Sequence, residues 1–279
     1  MKTHLDKILG FKYSRSLNNS PVVKFEGGLG SQLLAAMDLA LINRKPIDAI
    51  VRIDDHYFEY AEIERNVNGL SFWNWELDRY GIHRNSFGGM RIKKGQSSLI
   101  RPLNLSLDSQ EHALFIKENA DIIFPVDKSK LQRNLERLDL FEGFSVIHIR
   151  RGDYSKIGAH ETSLEDYLKL IPKIKELLVG KILLSSDSLI PPGFIKGLEE
   201  IFNSSREIVT LEDFNPGEVH DLMRNSDVLI ASNSTFSITA GMTAKSSNIT
   251  FAPLGYAFPL TKHNSANQFL ALGSFYLLH

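Results

Sequence analysis

Phe144-Ser145-Val146-Ile147-His148-Ile149-Arg150-Arg151-Gly152-Asp153-Tyr154 is the stretch on which the fold turns. An apolar, β-prone run passes directly into two arginines, a glycine and an aspartate, so a buried strand ends in a polar loop. Side chains alternate along a strand, which puts Val146, His148 and Arg150 on one side and Ile147, Ile149 and Arg151 on the other. Downstream, Leu164, Leu168, Ile171, Ile174 and Leu178 recur at helical spacing behind a capping box of Thr162 and Glu165. Lys181 to Leu184 predicts the next strand, ending at Ser185-Ser186-Asp187. Pro216 to Arg224 predicts a helix, and Asp227 to Ala231 a further strand that ends at Ser232-Asn233-Ser234-Thr235-Phe236-Ser237. Strands alternating with helices predict an α/β fold with a parallel sheet.

Toward the N-terminus the same alternation returns. Pro21 to Phe25 reads as a strand, Glu26-Gly27-Gly28-Leu29-Gly30 as a turn, and Leu33, Leu34, Met37, Ala40 and Leu41 as one face of a helix. Ile50 to Ile53 is another strand candidate, followed by Asp54, Asp55, His56, Tyr57 and Phe58 and then by Phe72, Trp73 and Trp75. From Gly88 to Lys130 the pattern is loop-like, and only Ile122 to Val126 predicts a strand there.

A chain of 279 residues makes one large domain or two of roughly 130 residues. With 43% hydrophobic and 23% charged residues it has an ordinary globular composition, which excludes a disordered or fibrous chain. The net charge of -1 provides no field for nucleic acid or an anionic membrane, so any anion site must be local. The absence of cysteine excludes disulfides, thiolate metal sites and a Cys nucleophile. Residues 1 to 20 lack a signal-peptide apolar stretch, and the charge-free run from Val228 to Ala244 is interrupted by Ser, Asn and Thr. Neither a targeting segment nor a transmembrane helix is expected.

In parallel α/β sheets ligands gather beyond the carboxyl ends of the strands, where loops and helix N-termini present free N–H groups. Arg150 there offers a planar fork suited to a diphosphate, and His148 can donate to a phosphate oxygen or a base carbonyl. The competing reading is Arg150 paired with Asp153 and a histidine satisfied in the core. Ser232 to Ser237 holds four hydroxyls at a helix start, more than simple capping requires. The Gly27-Gly28-Leu29-Gly30 loop lacks both the lysine of a P-loop and the third glycine of the dinucleotide fingerprint; close helix packing competes there with close approach of a ligand to backbone. No Asp-x-Asp pair and no Gly-x-Ser-x-Gly elbow occurs, so neither a catalytic metal nor serine-hydrolase chemistry is expected. Trp73 and Trp75 read as buried aromatics ahead of a sugar-stacking surface.

Taken together, Phe25 to Gln32, His148 to Tyr154, Ser185-Ser186-Asp187, and Leu222-Met223 leading to Ser232 to Ser237 resemble, in order and content, the α-1,2-fucosyltransferase family, glycosyltransferase family eleven, of bacterial type. The resemblance spans about residues 22 to 245. It implies a GT-B architecture of two Rossmann-like lobes, 1–140 on the acceptor side and 141–279 binding the GDP-sugar. By motif, Arg150 would hold the β-phosphate, His148 the nucleotide, and Asp187 would lie near guanosine. Ser234, Thr235, Phe236 and Ser237 would line the diphosphate and fucose, with Gly28 and Gly30 as further donor contacts. The implied reaction is inverting and metal-independent: L-fucose moves from GDP-β-L-fucose to a glycan hydroxyl, O2 of galactose. Asp153 is the first candidate for general base, with Glu26, Asp54 and His56 as alternatives on the acceptor side. The chain departs from the family pattern at Ser31 and at Ile238-Thr239, which keeps a related transferase using another nucleotide sugar as the alternative. The expected partners are a nucleotide sugar and an oligosaccharide acceptor, lipid-linked in O-antigen or capsule synthesis. The expected place is the cytoplasm, beside the inner membrane.

Overall fold

The computed structural model describes residues 22–44, 51–63, 74–92, 110–152, 162–253 and 275–278. The chain divides into two compact units, Met1–Pro125 and Val126–His279, so the division lies ahead of the helix that precedes residue 140.

In the first unit, β1 (Val22–Lys24) and β2 (Arg52–Asp54) pair in parallel, with Val23 opposite Ile53. The ladder continues where the Phe25 N–H donates to the Asp54 carbonyl at 2.7 Å. Between them runs α1 (Leu29–Arg44), buried from Leu29 to Ile42 except at Ser31, with polar Gln32 and Asp38 among the buried residues, so it is covered on every side. After β2 come α2 (His56–Ile63), α3 (Gln110–Glu118) and the short α4 (Ala120–Ile123). The last replaces the strand expected at Ile122 to Val126. A short apolar run has no periodicity of its own, and the Ile122, Ile123 and Phe124 N–H groups here bond back to Asn119 and Ala120.

Among the described residues the second unit contains a six-stranded sheet. Its elements are α5 (Lys128–Leu138), β3 (Phe144–Ile149), α6 (Leu164–Ile174), β4 (Lys181–Ser186), α7 (Pro192–Phe202), β5 (Ile208–Thr210), α8 (Pro216–Asn225), β6 (Val228–Ile230), α9 (Thr235–Met242), β7 (Ile249–Pro253) and β8 (Phe275–Leu278). The strand order is β5-β4-β3-β6-β7-β8, parallel throughout except for antiparallel β8 at the edge. The expected α/β class with mainly parallel sheets is therefore observed.

Every residue of β3 is buried, as a central strand covered on both faces requires. Ile147 and Ile149 face Tyr167, Leu170 and Ile171 of α6 and Phe194 and Leu198 of α7, while His148 meets the ring of Phe236 on α9 at 5.4 Å. That is the alternation expected from the sequence. The cap of α6 is Ser163, whose side chain accepts from the Asp166 N–H, one residue beyond the expected Thr162 box. In α8 an Asn215/Glu218 capping box and Pro216 in the first turn set the start of the helix.

Candidate functional site

From β3 the chain winds outward in two directions, through β4 to β5 on one side and through β6 to β7 on the other. The boundary between β3 and β6 is thus the switch point of the sheet, where diverging loops leave a crevice at the carboxyl edge. His148 to Gly152 leaves β3 there and Ser232 to Ser237 leaves β6. The two loops are tied together by a 2.8 Å hydrogen bond between His148 Nδ1 and Ser232 Oγ. Tyr167, unremarked in the sequence, fixes the same point from the other face by donating its phenol to the His148 carbonyl at 3.0 Å.

Burial, reinforced by the nearby Arg150 guanidinium, holds the His148 imidazole down at about 3. The ring is neutral throughout the physiological range, so it orders and hydrogen-bonds but adds no cationic charge.

Arg150 does carry charge. Its Nη1 lies 2.9 Å from Asp187 Oδ2, and Asp187 Oδ1 accepts from the Arg151 N–H at 2.8 Å and the Gly152 N–H at 3.2 Å. A guanidinium and two successive backbone N–H groups converge on one carboxylate, which is the donor set of an anion nest. Glycine at 152 is required for this approach, because a Cβ would collide with the Asp187 carboxylate. Asp153, the first candidate base, lies outside the described residues, as does Tyr154.

The second loop begins α9. Ser234 is its N-cap, its side chain accepting from the Phe236 N–H at 3.4 Å. Ser237 is fully buried, and its hydroxyl accepts from the Ser232 N–H at 3.1 Å while contacting the Ser232 carbonyl at 3.3 Å and the Ser234 carbonyl at 3.4 Å. Ser237 therefore holds the loop in shape, whereas Thr235 and Phe236 are half-buried at its surface. Phe236 is wedged between the rings of His148 and His220, 5.4 Å from each.

The remaining candidates belong to the first unit. Gly28 opens α1, its carbonyl accepting from the Gln32 N–H at 3.1 Å, and Gly30 is buried within the helix. Glu26 pairs with Lys24 at 2.6 Å. Asp54 is buried and accepts the His56 N–H at 3.3 Å. His56 Nδ1 lies 3.1 Å from Glu59, and Nε2 lies 3.0 Å from the Ile92 carbonyl. Burial works to lower the His56 pKa, but the Glu59 carboxylate, the Ile92 carbonyl and the Asp54 charge outweigh it and raise the group above its ordinary value.

Two constellations here escaped the sequence reading. Gln32 is fully buried, donating to the Gly27 and Asn74 carbonyls at 2.8 Å each and accepting from the Glu76 N–H at 2.9 Å, so it splices the glycine loop to residues 74–76. Its signal was an amide directly ahead of the apolar run from Leu33 to Met37. Asp55 is fully buried between Arg84 at 2.8 Å and Arg91 at 2.7 Å. Trp75 packs on Phe25, Phe58 and Phe87 and donates to the Ile82 carbonyl at 2.9 Å, but it is half-buried, so the buried-aromatic reading holds for it only in part; Trp73 lies outside the described residues.

No protein-family model matches the chain, and no curated protein matches it in sequence. Among solved structures it is similar to POFUT1 in complex with GDP, with a TM-score of 0.49 and 10% identity over 85% of this chain and 98% of that one. It is also similar to POFUT1 in complex with GDP-fucose, with a TM-score of 0.40 and 12% identity over 84% and 97%. UDP-GlcNAc 2-epimerase from Neisseria meningitidis bound to UDP-GlcNAc follows, with a TM-score of 0.28 and 11% identity over 86% and 65%.

Proposed function

We propose that the protein is a GT-B glycosyltransferase that moves L-fucose from GDP-β-L-fucose to a glycan hydroxyl, O2 of a galactoside, with inversion and without a metal. The observation that carries this reading is the convergence of Arg150 and the Arg151 and Gly152 N–H groups on one anion position at the carboxyl edge of β3 and β4, in a loop that the His148–Ser232 hydrogen bond ties to the loop that begins α9. Such donors suit a diphosphate.

Breaking the bond from the fucose anomeric carbon leaves its electron pair, and hence negative charge, on the departing GDP. Arg150 and the N–H groups of both loops would stabilise that charge, and the acceptor oxygen would attack the opposite face of an oxocarbenium-like sugar. The hydroxyl proton passes to a carboxylate or imidazole, with Asp153 the first candidate and Glu26, Asp54 and His56 the alternatives. Neutral His148 and half-buried Phe236 would shape the nucleotide side of the pocket. No helix among the described residues is long and apolar enough to cross a membrane. A lipid-linked acceptor at the cytoplasmic face of the inner membrane fits the reading.

The test is mass detection of products from a panel of GDP-, UDP- and CMP-sugars against galactose-ended acceptors. Addition of one deoxyhexose from GDP-fucose alone is expected. Transfer of another sugar would establish the alternative donor that Ser31 and Ile238 keep in play, and no product with any donor would overturn the assignment.

A further inference from the structure

Asp187 engages three donors of the anion nest at once. One oxygen is on Arg150 Nη1 at 2.9 Å, and the other is on the Arg151 and Gly152 N–H groups at 2.8 and 3.2 Å. Asp187 lies just beyond the end of β4, in a bend where the Ser188 N–H turns back onto Ser186 Oγ at 3.2 Å. It is therefore held by side-chain contacts and not by a strand ladder. Neither partner of the pair is sealed: the Arg150 and Asp187 side chains are 18% and 22% exposed.

We infer that Asp187 is a resident counter-anion which the diphosphate of the ligand must displace, making it a specificity-determining residue of the donor site. This rests on the reading of the nest as a diphosphate site. A carboxylate and a phosphoryl group cannot share three donors, and two negative charges held a few ångströms apart repel. Displacement therefore weakens binding of every anion. A nucleoside diphosphate has a second phosphoryl group and a nucleoside with which to offset that cost; a single phosphate does not. The carboxylate thus filters out small anions and keeps Arg150 and the Gly152 turn in order while the site is empty.

The experiment is calorimetric titration of the wild type, Asp187→Asn, Asp187→Ser and Asp187→Glu with inorganic pyrophosphate and, separately, with GDP. Both neutral variants should bind pyrophosphate and GDP about tenfold more tightly than the wild type. They should also acquire measurable affinity for orthophosphate, while Asp187→Glu, which keeps the charge, should gain nothing. Should Asn at 187 not fold, the Ser variant carries the same comparison. Unchanged or weaker pyrophosphate binding by the neutral variants would overturn the inference and make Asp187 a fixed support of Arg150. Tighter pyrophosphate binding with no GDP binding by any protein would remove the nucleotide-sugar reading and leave the counter-anion in place. Binding of neither ligand to any of the four proteins would overturn both.

Discussion

His148 Nδ1 and Ser232 Oγ, 2.8 Å apart, join the carboxyl ends of β3 and β6 across the switch point of the sheet. The bond couples the loop that carries Arg150 to the loop that begins α9. Because the imidazole is buried and neutral, it can serve as a fixed strut between them.

A buried neutral histidine leaves a thermodynamic signature. In the unfolded chain the imidazole takes a proton near pH 6.5, whereas the folded form resists it until about pH 3. Between these values the unfolded state binds more protons, so stability is full above pH 6.5 and falls as the pH drops, with a slope approaching about 1.4 kcal/mol per pH unit from this residue. Urea unfolding of the wild type and of His148→Gln between pH 4 and 7 should show a shallower slope in the variant. Equal slopes would mean that the ring is not buried in its neutral form.

His56 should behave in the opposite sense. Its folded pKa is raised, so its contribution is fully present below pH 6.5 and is lost as the pH rises through the higher folded value. Replacing Glu59 with Gln removes the contact at 3.1 Å and should bring the imidazole pKa down, measured by NMR titration of the ring protons.

Ser237→Ala should destabilise the second unit by about 1–3 kcal/mol, the cost of leaving the buried Ser232 N–H without its acceptor. The α9 loop would loosen with it, so weaker GDP binding in calorimetry should accompany the lower unfolding free energy.

Gln32→Leu keeps the bulk but strands two carbonyls and one N–H. The first unit should lose about 2 kcal/mol or more, read as a lower urea midpoint. A variant as stable as the wild type would show that residues 74–76 are held by the aromatic packing of Trp75 alone.

The central strand of the second unit, the alternation of Ile147 and Ile149 against His148, and the polar carboxyl ends of β3, β4 and β6 were legible because each depends on local pattern and period. Partnerships across the chain were not. A sequence reading pairs Arg150 with nearby Asp153, but the described partner is Asp187, which reaches it only because β4 lies beside β3 in the sheet. Ser237 reads as a ligand group because hydroxyls at a helix start suit phosphate; its burial, which depends on how α9 packs, gives the hydroxyl to the loop itself. Asp55 carries no local signal of its own, and its partners Arg84 and Arg91 lie far along the chain. The apolar run at Ile122 failed as a strand for a simpler reason: three residues carry no period.

The most direct measurement is product formation from GDP-fucose and a galactose-ended acceptor by the wild type and by Arg150→Ala at saturating donor. Loss of the guanidinium should lower turnover roughly a hundred- to a thousandfold, because it removes a donor aimed at the charge that develops on the leaving diphosphate. An Arg150→Ala enzyme turning over within about twofold of the wild type, a change well short of that loss, would contradict the account.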